Sequence, residues 1–367
     1  MKFTVSQSAM ERALQVVTKG MATNSTLPVL SGIYVRAAEG SLEFQTTNLT
    51  ISIRHKIPAN VEEEGETVIA GKVLVNIVRN LPDAAITFVA LDNIVSITCS
   101  KSHYRLKALD PHVFPEFPEL TLETSIELPS ELLSEMVDKV YRVTSKDTSR
   151  PILSGVLLTV EENVIRLVAT DSYRLAVCDS TTETSSAQEG FRAIIGGRTF
   201  HDVLALPSMT ERIVVGTTAN QVVFVFGNTT YVSRRIEGNF PNFRQLLPQT
   251  FSSAVKIDVD EFAAALKRVS ALAIANSSVR FDVDADGSIM RLSASSPEQG
   301  ESTELMPVEV EGASLSIALN NNYVLDCISA VSGTKEITLE LQSSAQPGIF
   351  KSYGTVNYLY LLMPVRM

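Results

Sequence analysis

The sequence has few cysteines, few histidines and no long apolar run, and each shortage excludes a class of protein. Its three cysteines are far apart and none forms a C-x-x-C pair, which favours reduced, buried thiols in a cytoplasmic protein over a disulfide framework. The four histidines lack metal-ligand spacing. No stretch approaches the roughly 18–20 apolar residues of a membrane helix. No apolar run follows Lys2, so we expect no secretory leader and no membrane partner.

Motifs of common enzyme classes are absent as well. The sequence contains no phosphate-binding glycine motif, zinc-protease motif or nucleophile elbow, so we expect no catalytic residue, no cofactor and no metal. Asp171 and Arg174 could form a catalytic pair, although an aspartate in such a segment is more often a turn former. An adhesive or scaffold repeat protein is a second alternative, and it predicts an open chain or filament instead of a closed dimer.

Basic residues are outnumbered by acidic ones. Lys and Arg total 31 against 41 Asp and Glu, a formal net charge of −10. This balance argues against a protein that grips nucleic acid over its whole surface. Any role on DNA must therefore depend on local charge, or on something other than affinity.

Two landmarks recur along the chain at one spacing. The segment 27–32 (L-P-V-L-S-G) recurs at 150–155 (R-P-I-L-S-G), and 117–120 (F-P-E-L) matches 240–243 (F-P-N-F), each 123 residues later. A fainter third copy lies at 276–281 (N-S-S-V-R-F). Shared spacing of separate landmarks indicates an internal repeat.

Each repeat has the same internal order of a helix, strands, a second short helix and further strands. The helical periodicity predicts six helices, at 8–19, 71–81, 130–144, 197–206, 260–271 and 320–331. Proline-stiffened segments separate the repeats. We therefore predict an α+β protein of three similar domains, covering residues 1–123, 124–252 and 253–367.

Four motifs then carry a family resemblance. They are A-T-D-S-Y-R-L-A at 169–176, the Phe240-Pro241 join, N-Y-V-L-D at 322–326 and M-P-V-R at 363–366. In this order, and in register with the repeats, they make the chain resemble the beta subunits of bacterial DNA polymerase III, the DNA sliding clamps. The resemblance implies the DNA-clamp fold: a head-to-tail ring of two chains, helices inside and sheets outside, acting as a non-catalytic processivity factor in the cytoplasm.

Helix geometry is consistent with two chains in the ring. Helices pack about 9–10 Å apart, so six in a circle leave a hole of only about 8–9 Å, whereas twelve leave about 26 Å. A duplex roughly 20 Å across, with grooves about 8 Å deep, passes only the larger hole. One chain cannot encircle DNA, and two can.

The predicted helices carry nine basic and eight acidic residues, so nearly all of the acidic excess lies elsewhere. Several of these cations occupy last helical turns, where the helix dipole alone would favour them. Asn24 stands where the family often has a basic residue that reaches DNA, and Arg150, before the second repeat motif, suits that role better. The residues expected to face DNA are Asn24, Lys72, Arg79, Lys139, Arg142, Lys146, Arg150, Arg198 and Lys267.

The resemblance also implies a pocket between the second and third domains, where partners dock a short linear peptide. The expected partners are the replicative polymerase alpha subunit with its 3′–5′ exonuclease complex, the clamp loader, other polymerases, and mismatch-repair and ligase proteins. The expected pocket residues are Leu153, Thr170, Ser172, Tyr173, Arg174, Leu175, Pro241, Leu246, Tyr323, Leu361, Met363, Pro364, Val365 and Arg366. Gln245 replaces a basic residue of many relatives and Tyr173 a histidine of some, which predicts an altered peptide preference.

Ring closure is expected to join the first domain of one chain to the third domain of its partner. Tyr104 and Leu106 match the first-domain edge strand, and Leu272 and Ile274 lie in the facing third-domain region. An uncovered edge strand offers unpaired backbone groups to any other strand. The resemblance therefore implies a homodimer.

Overall fold

A computed structural model describes residues 1–23, 25–181, 190–273 and 278–365. These residues form two compact units. The first contains Met1–Glu131 and Asp202–Arg235, and the second contains Leu132–His201 and Ile236–Met367. Each unit therefore draws on two stretches of the chain, and the 197–204 helix crosses the boundary.

The six helices expected from the sequence are confirmed, with ends that differ by up to four residues. They are α1 (Gln7–Val17), α2 (Gly71–Asn80), α3 (Ser130–Val140), α4 (Gly197–Leu204), α5 (Val259–Val269) and α6 (Asn321–Ala330). α3 and α5 are shorter than expected because each ends in a 3-10 turn, at Tyr141–Val143 and Ser270–Leu272.

Side-chain caps explain where three of the helices begin. Ser6 Oγ accepts a hydrogen bond from the Ala9 amide at 3.3 Å, and Asp258 Oδ1 accepts one from the Glu261 amide at 3.0 Å. The Asn320 side chain plays the same part for α6. Such caps satisfy amides that have no partner within the helix.

The first unit holds two antiparallel sheets. Its strands are β1 (Lys2–Ser6), β2 (Gly32–Ala38), β3 (Ser41–Thr47), β4 (Ile51–Pro58), β5 (Asn60–Glu63), β6 (Gly65–Ala70), β7 (Ala85–Leu91), β8 (Ile94–Cys99), β9 (Ser102–Lys107), β10 (Thr124–Pro129), β15 (Arg212–Thr217), β16 (Gln221–Phe226) and β17 (Thr229–Arg234). The five-stranded sheet has the order β5-β1-β7-β8-β9, and the eight-stranded sheet has the order β10-β15-β16-β17-β4-β3-β2-β6.

The second unit repeats this pattern with one nine-stranded and one four-stranded sheet. Its strands are β11 (Gly155–Glu161), β12 (Val164–Thr170), β13 (Arg174–Thr181), β14 (Phe191–Gly196), β18 (Ser253–Asp258), β19 (Ser278–Asp284), β20 (Ile289–Ser296), β21 (Gly300–Pro307), β22 (Glu309–Gly312), β23 (Leu315–Asn320), β24 (Glu336–Leu341), β25 (Gly348–Ser352) and β26 (Asn357–Leu362). The sheet orders are β14-β11-β12-β13-β26-β25-β24-β18-β22 and β21-β20-β19-β23.

In each unit, strands from consecutive sequence repeats join into one sheet, and we call these junctions seams. The first seam is the antiparallel pair β4–β17, and the second is the pair β13–β26. The seams explain why the two compact units differ from the three predicted domains, which stay a prediction. In each seam, a ladder of hydrogen bonds ties the last strand of one repeat to the repeat before it.

The repeated sequence landmarks have the same local structure. Pro28–Ser31 and Pro151–Ser154 each form a 3-10 turn, and a strand begins at the glycine that follows. A Cβ on Gly32 would lie 2.6 Å from Val68 Cγ1, and one on Gly155 would lie 2.5 Å from Ile194 Cγ2. The shared glycine is therefore required because the neighbouring strand approaches too closely for a side chain.

The apolar faces of the helices form the core against the sheets. Met10, Ala13, Leu14 and Val17 of α1 are all buried, as their spacing predicts. All three cysteines are unpaired and buried, which confirms the expectation drawn from their spacing. Among the described residues, no helix combines the length and the apolar character needed to cross a membrane.

Candidate functional site

A tight turn between β12 and β13 places the predicted pocket residues Thr170, Ser172 and Tyr173. Thr170 Oγ1 donates to the Arg174 carbonyl at 2.7 Å and accepts from the Ser172 amide at 3.2 Å. Asp171 Oδ1 accepts from the amides of Tyr173 and Arg174, at 3.0 and 3.1 Å. Asp171 is thus a turn former, as the sequence suggested, and the bonds hold Ser172 at a φ of +80°.

The Arg174 side chain points inward from this turn and is 7% exposed. Its Nε donates to Asp171 Oδ2 at 3.0 Å, and its Nη1 donates to Asp326 Oδ2 at 2.6 Å. Its Nη2 donates to the carbonyl of Arg142 at 2.9 Å, just after α3. The guanidinium therefore ties the turn to α6 and to the segment just after α3, and so fixes the position of the turn.

Two tyrosines complete the surroundings of Arg174. The guanidinium lies 4.1 Å from the ring centroid of Tyr323, a cation–π contact. Tyr360 Oη accepts from Arg174 Nη1 at 3.1 Å and donates to the Tyr323 carbonyl at 2.9 Å. Burial raises the pKa of Tyr360 well above its usual value, so the neutral phenol keeps the proton that it donates.

The C-terminal tail is tied down on both sides. The Met363 amide donates to the Tyr173 carbonyl at 2.9 Å, and the Val365 amide donates to the Ala318 carbonyl at the edge of β23, also at 2.9 Å. Pro364 lies between them and is half-buried. The structure thus brings Met363 to the turn at Thr170–Arg174 and Val365 to β23, with Pro364 between them. Arg366 lies outside the described residues.

An apolar floor lies beside the turn and the tail. Leu175 and Leu361 face each other across the second seam, and both are buried in one cluster with Phe240 of the join between repeats. Leu153 is also buried. Around this floor the apolar side chains are exposed instead: Tyr173 by 61%, Leu246 by 54% and Met363 by 44%.

Exposed apolar side chains beside a buried apolar floor, with polar groups fixed by a turn, suit a peptide's hydrophobic side chains. Pro241 is exposed on the same join. Asp326 and Tyr360 hold Arg174, and neither was among the pocket residues expected from the sequence. Asp326 lies three residues after Tyr323 on α6, a spacing that could have indicated a shared face.

The predicted DNA-facing residues fall into two groups. Lys72, Arg79, Lys146, Arg198 and Lys267 are exposed, whereas Asn24 lies outside the described residues. Lys139 is only 10% exposed; its Nζ donates to the Ala330 carbonyl at 2.8 Å and pairs with Glu135 at 3.5 Å. Arg142 Nη1 donates to Ser329 Oγ at 2.9 Å. Both side chains therefore bind the C-terminal end of α6, where a helix attracts cations.

Arg150 contacts the pocket turn. Its Nη1 donates to Ser172 Oγ at 3.0 Å, and its Nε pairs with Asp147 Oδ2 at 3.2 Å. The side chain remains about half exposed. Arg150 is therefore available to a ligand and also supports the residue at positive φ.

The predicted dimer residues of the first domain lie on β9, at the edge of the five-stranded sheet. Tyr104 and Leu106 are half-buried on one face, whereas His103, Arg105 and Lys107 are exposed on the other. Leu272 is half-buried at the end of the turn after α5, and Ile274 lies outside the described residues.

These features together define a DNA clamp: paired helices backed by antiparallel sheets that continue from one sequence repeat into the next. Models of the N-terminal, central and C-terminal domains of the DNA polymerase III beta subunit match residues 1–119, 127–242 and 244–366. No group of metal-ligating side chains occurs in the parts of the chain that the structure describes.

Full-length relatives agree with these matches. The chain is 30% identical to the beta sliding clamp of Staphylococcus aureus, with 100% of this chain and 99% of the relative covered. Its fold matches the sliding clamp of Bacillus subtilis with a TM-score of 0.93, at 26% identity over 100% and 99% of the two chains. The beta subunit of Thermotoga maritima gives a TM-score of 0.91, at 26% identity and the same coverage.

This chain belongs to the DNA polymerase III beta subunit family, the bacterial sliding clamps. Membership confirms the family and the fold inferred from the four sequence motifs. It also confirms that the chain is a non-catalytic component of DNA replication, and not an enzyme.

Proposed function

We propose that two copies of this chain close head to tail around duplex DNA and tether replication proteins through the site at the second seam. The observation that carries this proposal is that the two kinds of strand that form a seam each occur three times in the chain. β4, β13 and β21 each have eight residues and follow the hairpin partner of the same position in their repeats. β9, β17 and β26 each have six residues and end a meander.

Two of the three possible pairs are formed within the chain. The strands of the third, β9 and β21, are not paired with each other. β17 covers β4, and β26 covers β13. β9 and β21 lie at sheet edges, and no described strand covers either of them on its outer side. A second chain would supply the missing strand at both edges, which accounts for a closed dimer.

Equivalence with the two seams also gives the register. Tyr231 pairs with Ile53, and Tyr360 pairs with Ala176, in each case the third residue of the eight-residue strand. Tyr104 holds the equivalent place on β9, and the third residue of β21 is Ser302. Tyr231 and Tyr360 are buried in the two seams within the chain, whereas Tyr104 is only half-buried. This is expected if the strand that would cover Tyr104 comes from a second chain.

Charge supports this register. When Tyr104 of one chain faces Ser302 of the other in an antiparallel pair, Arg105 faces Glu301. Both side chains are exposed in the single chain. Opposite charges across strands stabilise a pair modestly and help to fix its register.

Sedimentation at micromolar concentration tests the ring. We expect the native protein to be a dimer. Arg105→Glu should weaken the dimer, and adding Glu301→Arg to that variant should restore it. A native protein that sediments as a monomer or an open polymer would exclude the ring. Lys101→Glu is the matched control, since the register places it opposite Leu305 and not opposite a charge.

Retention on nicked circular DNA tests encirclement. A ring should remain on the circle and be lost when the circle is cut, because topology and not affinity holds it. A modest positive lining suits such a protein, since each phosphate contact adds affinity and salt sensitivity that would oppose sliding. Equal retention on linear DNA would contradict the proposal.

Deletion of residues 363–367 tests the peptide site. The tail supplies the exposed Met363 and the Val365 amide that binds β23, so its loss should abolish binding of a polymerase docking peptide. The dimer should persist, because β9 and β21 are unchanged. Unaltered peptide affinity would mean that partners dock elsewhere.

A further inference from the structure

A cavity of about 330 Å³ adjoins the proposed peptide site on the other side of the join between repeats. Its floor consists of Val177, Leu247 and Leu359 together with Phe243. Arg166, Arg244, Lys351 and Tyr353 stand at its rim. None of these residues belongs to the peptide site described above, so the cavity needs an account of its own.

The floors of the two sites form one continuous strip. Leu175 faces Leu361 across the second seam, and Val177 faces Leu359 one step further along the same two strands. Residues two apart on a strand lie on the same face, about 7 Å from each other. All four side chains pack in or against one apolar cluster, so a chain lying on the first pair can continue to the second.

The join between repeats borders both sites. Leu246 is exposed at the proposed peptide site, whereas Leu247 lines the cavity. Leu246 is the last residue of the 3-10 turn Phe243–Leu246, and Leu247 is the residue that caps it. A ligand that extends from the proposed peptide site to the cavity would therefore pass this turn.

The rim has one charge that is available to a ligand. Arg166 is held by Asp179 through two hydrogen bonds of 2.7 and 3.1 Å, and Lys351 is paired with Glu340 at 2.6 Å. Arg244, in contrast, is 64% exposed, and its contact with the equally exposed Glu161 is 3.6 Å long. Exposed pairs of this length are weak, so Arg244 can exchange its partner for an incoming carboxylate.

We propose that this cavity is a second subsite for the flank of a docked partner peptide, and that it takes one large apolar side chain beside an acidic residue. The inference depends on the proposed peptide site. The volume is at the small end of ligand pockets, which span about 300–1,000 Å³, and so suits one or two side chains better than a whole cofactor. A partner peptide is the occupant that fits best, because the cavity continues the floor of the proposed peptide site and because Arg244 is exposed beside it.

Two lengths of one peptide test the subsite. The short probe is the docking segment of the partner polymerase, and two longer probes add eight native residues before or after it. We expect one longer probe to bind the full-length protein at least fivefold more tightly than the short one. Arg244→Glu and Leu359→Ser should remove that gain and leave the short probe unaffected. Arg36→Glu, an exposed charge reversal on β2, is the control.

A photo-crosslinking residue at position 353 gives a measurement that does not depend on the folding of the Leu359 variant. Tyr353 is 73% exposed at the rim, so the substitution is tolerated there. The longer probe should crosslink and the short probe should not. Equal affinity of all probes, or crosslinks only between copies of this chain, would overturn the subsite. If no probe binds the native protein, the proposed peptide site itself is wrong.

Discussion

The two seams have the same backbone and different side chains. In the first unit, Thr47 Oγ1 donates to the Ile51 carbonyl at 2.9 Å and Asn48 Oδ1 accepts from the Ile51 amide at 2.8 Å. Thr170 and Asp171 make the same bonds to Arg174 in the second unit. Ile51 is therefore the structural equivalent of Arg174. Because both units have this turn, the turn alone does not indicate a binding site.

The strand ends differ in the same way. The amide of Arg234 donates to the Thr50 carbonyl at 3.3 Å in the first seam, and the amide of Met363 donates to the Tyr173 carbonyl in the second. In the first unit, the charged Arg234 thus occupies the position that the exposed Met363 has in the second unit. The comparison shows that the repeat supplies a scaffold, and that an arginine, a tyrosine and a methionine turn one copy into a candidate docking site.

Arg174→Met should have the largest effect on this comparison. It removes a buried guanidinium and leaves Asp326 and Asp171 without their cation, a loss that typically costs about 3–5 kcal/mol. Urea unfolding should show this loss, with faster amide exchange along β13 and α6. Ile51→Met, the equivalent change in the first unit, should cost less than about 1.5 kcal/mol. Similar costs for both would mean that the Arg174 contacts contribute little.

Met363→Arg should make the second seam resemble the first. We expect at least a tenfold loss of docking-peptide affinity, about 1.4 kcal/mol, because a charge replaces an apolar contact. Calorimetric titration measures it, and the unfolding midpoint should not change, since Met363 is exposed. The reverse change, Arg234→Met, should leave peptide affinity as it is. A tolerated Met363→Arg would place the docking site away from the tail.

Glycine at the strained turn residue should stabilise either unit. Leu49 has a φ of +70° and Ser172 a φ of +80°, a region that costs most residues about 1–2 kcal/mol. Leu49→Gly should therefore raise the unfolding free energy by about 1 kcal/mol. Ser172→Gly should gain less, because it also loses the bond from Arg150. Differential scanning calorimetry distinguishes these values, and destabilisation by Leu49→Gly would contradict the assigned strain.

Acidification should weaken the first seam slightly and spare the second. His55 Nδ1 lies 2.8 Å from Thr229 Oγ1, and burial lowers the pKa of His55 below its ordinary 6.5. The free energy of unfolding should thus be constant above pH 6.5. It should fall as the pH drops from 6.5 towards the pKa of His55 in the folded protein, because His55 binds its proton more readily in the unfolded chain. Its counterpart on β13 is Cys178, so His55→Cys should remove this contribution in urea titrations at pH 7.5 and 5.5. An unchanged pH slope would exclude His55 as its source.

The sequence predicted the repeats, the helices and the tail because these depend on local signals. Apolar spacing identified α1, and the 123-residue offset identified the equivalent turns. It could not show that Arg174 is buried, since that depends on Asp326 and Tyr360, which lie more than 150 residues further along the chain. For the same reason it placed Lys139 towards DNA, although its ammonium binds the end of α6.

The two strands of a seam within a chain belong to one polypeptide, whereas the two strands of the proposed seam between chains belong to two. Pairing within one polypeptide is intramolecular, so it does not depend on the protein concentration. Closure between β9 and β21 would instead depend on how much protein the cell contains and on the salt that screens Arg105 from Glu301. The seam between chains would be the one place where the ring could open without cleavage of a polypeptide. Dilution and ionic strength would then control that opening.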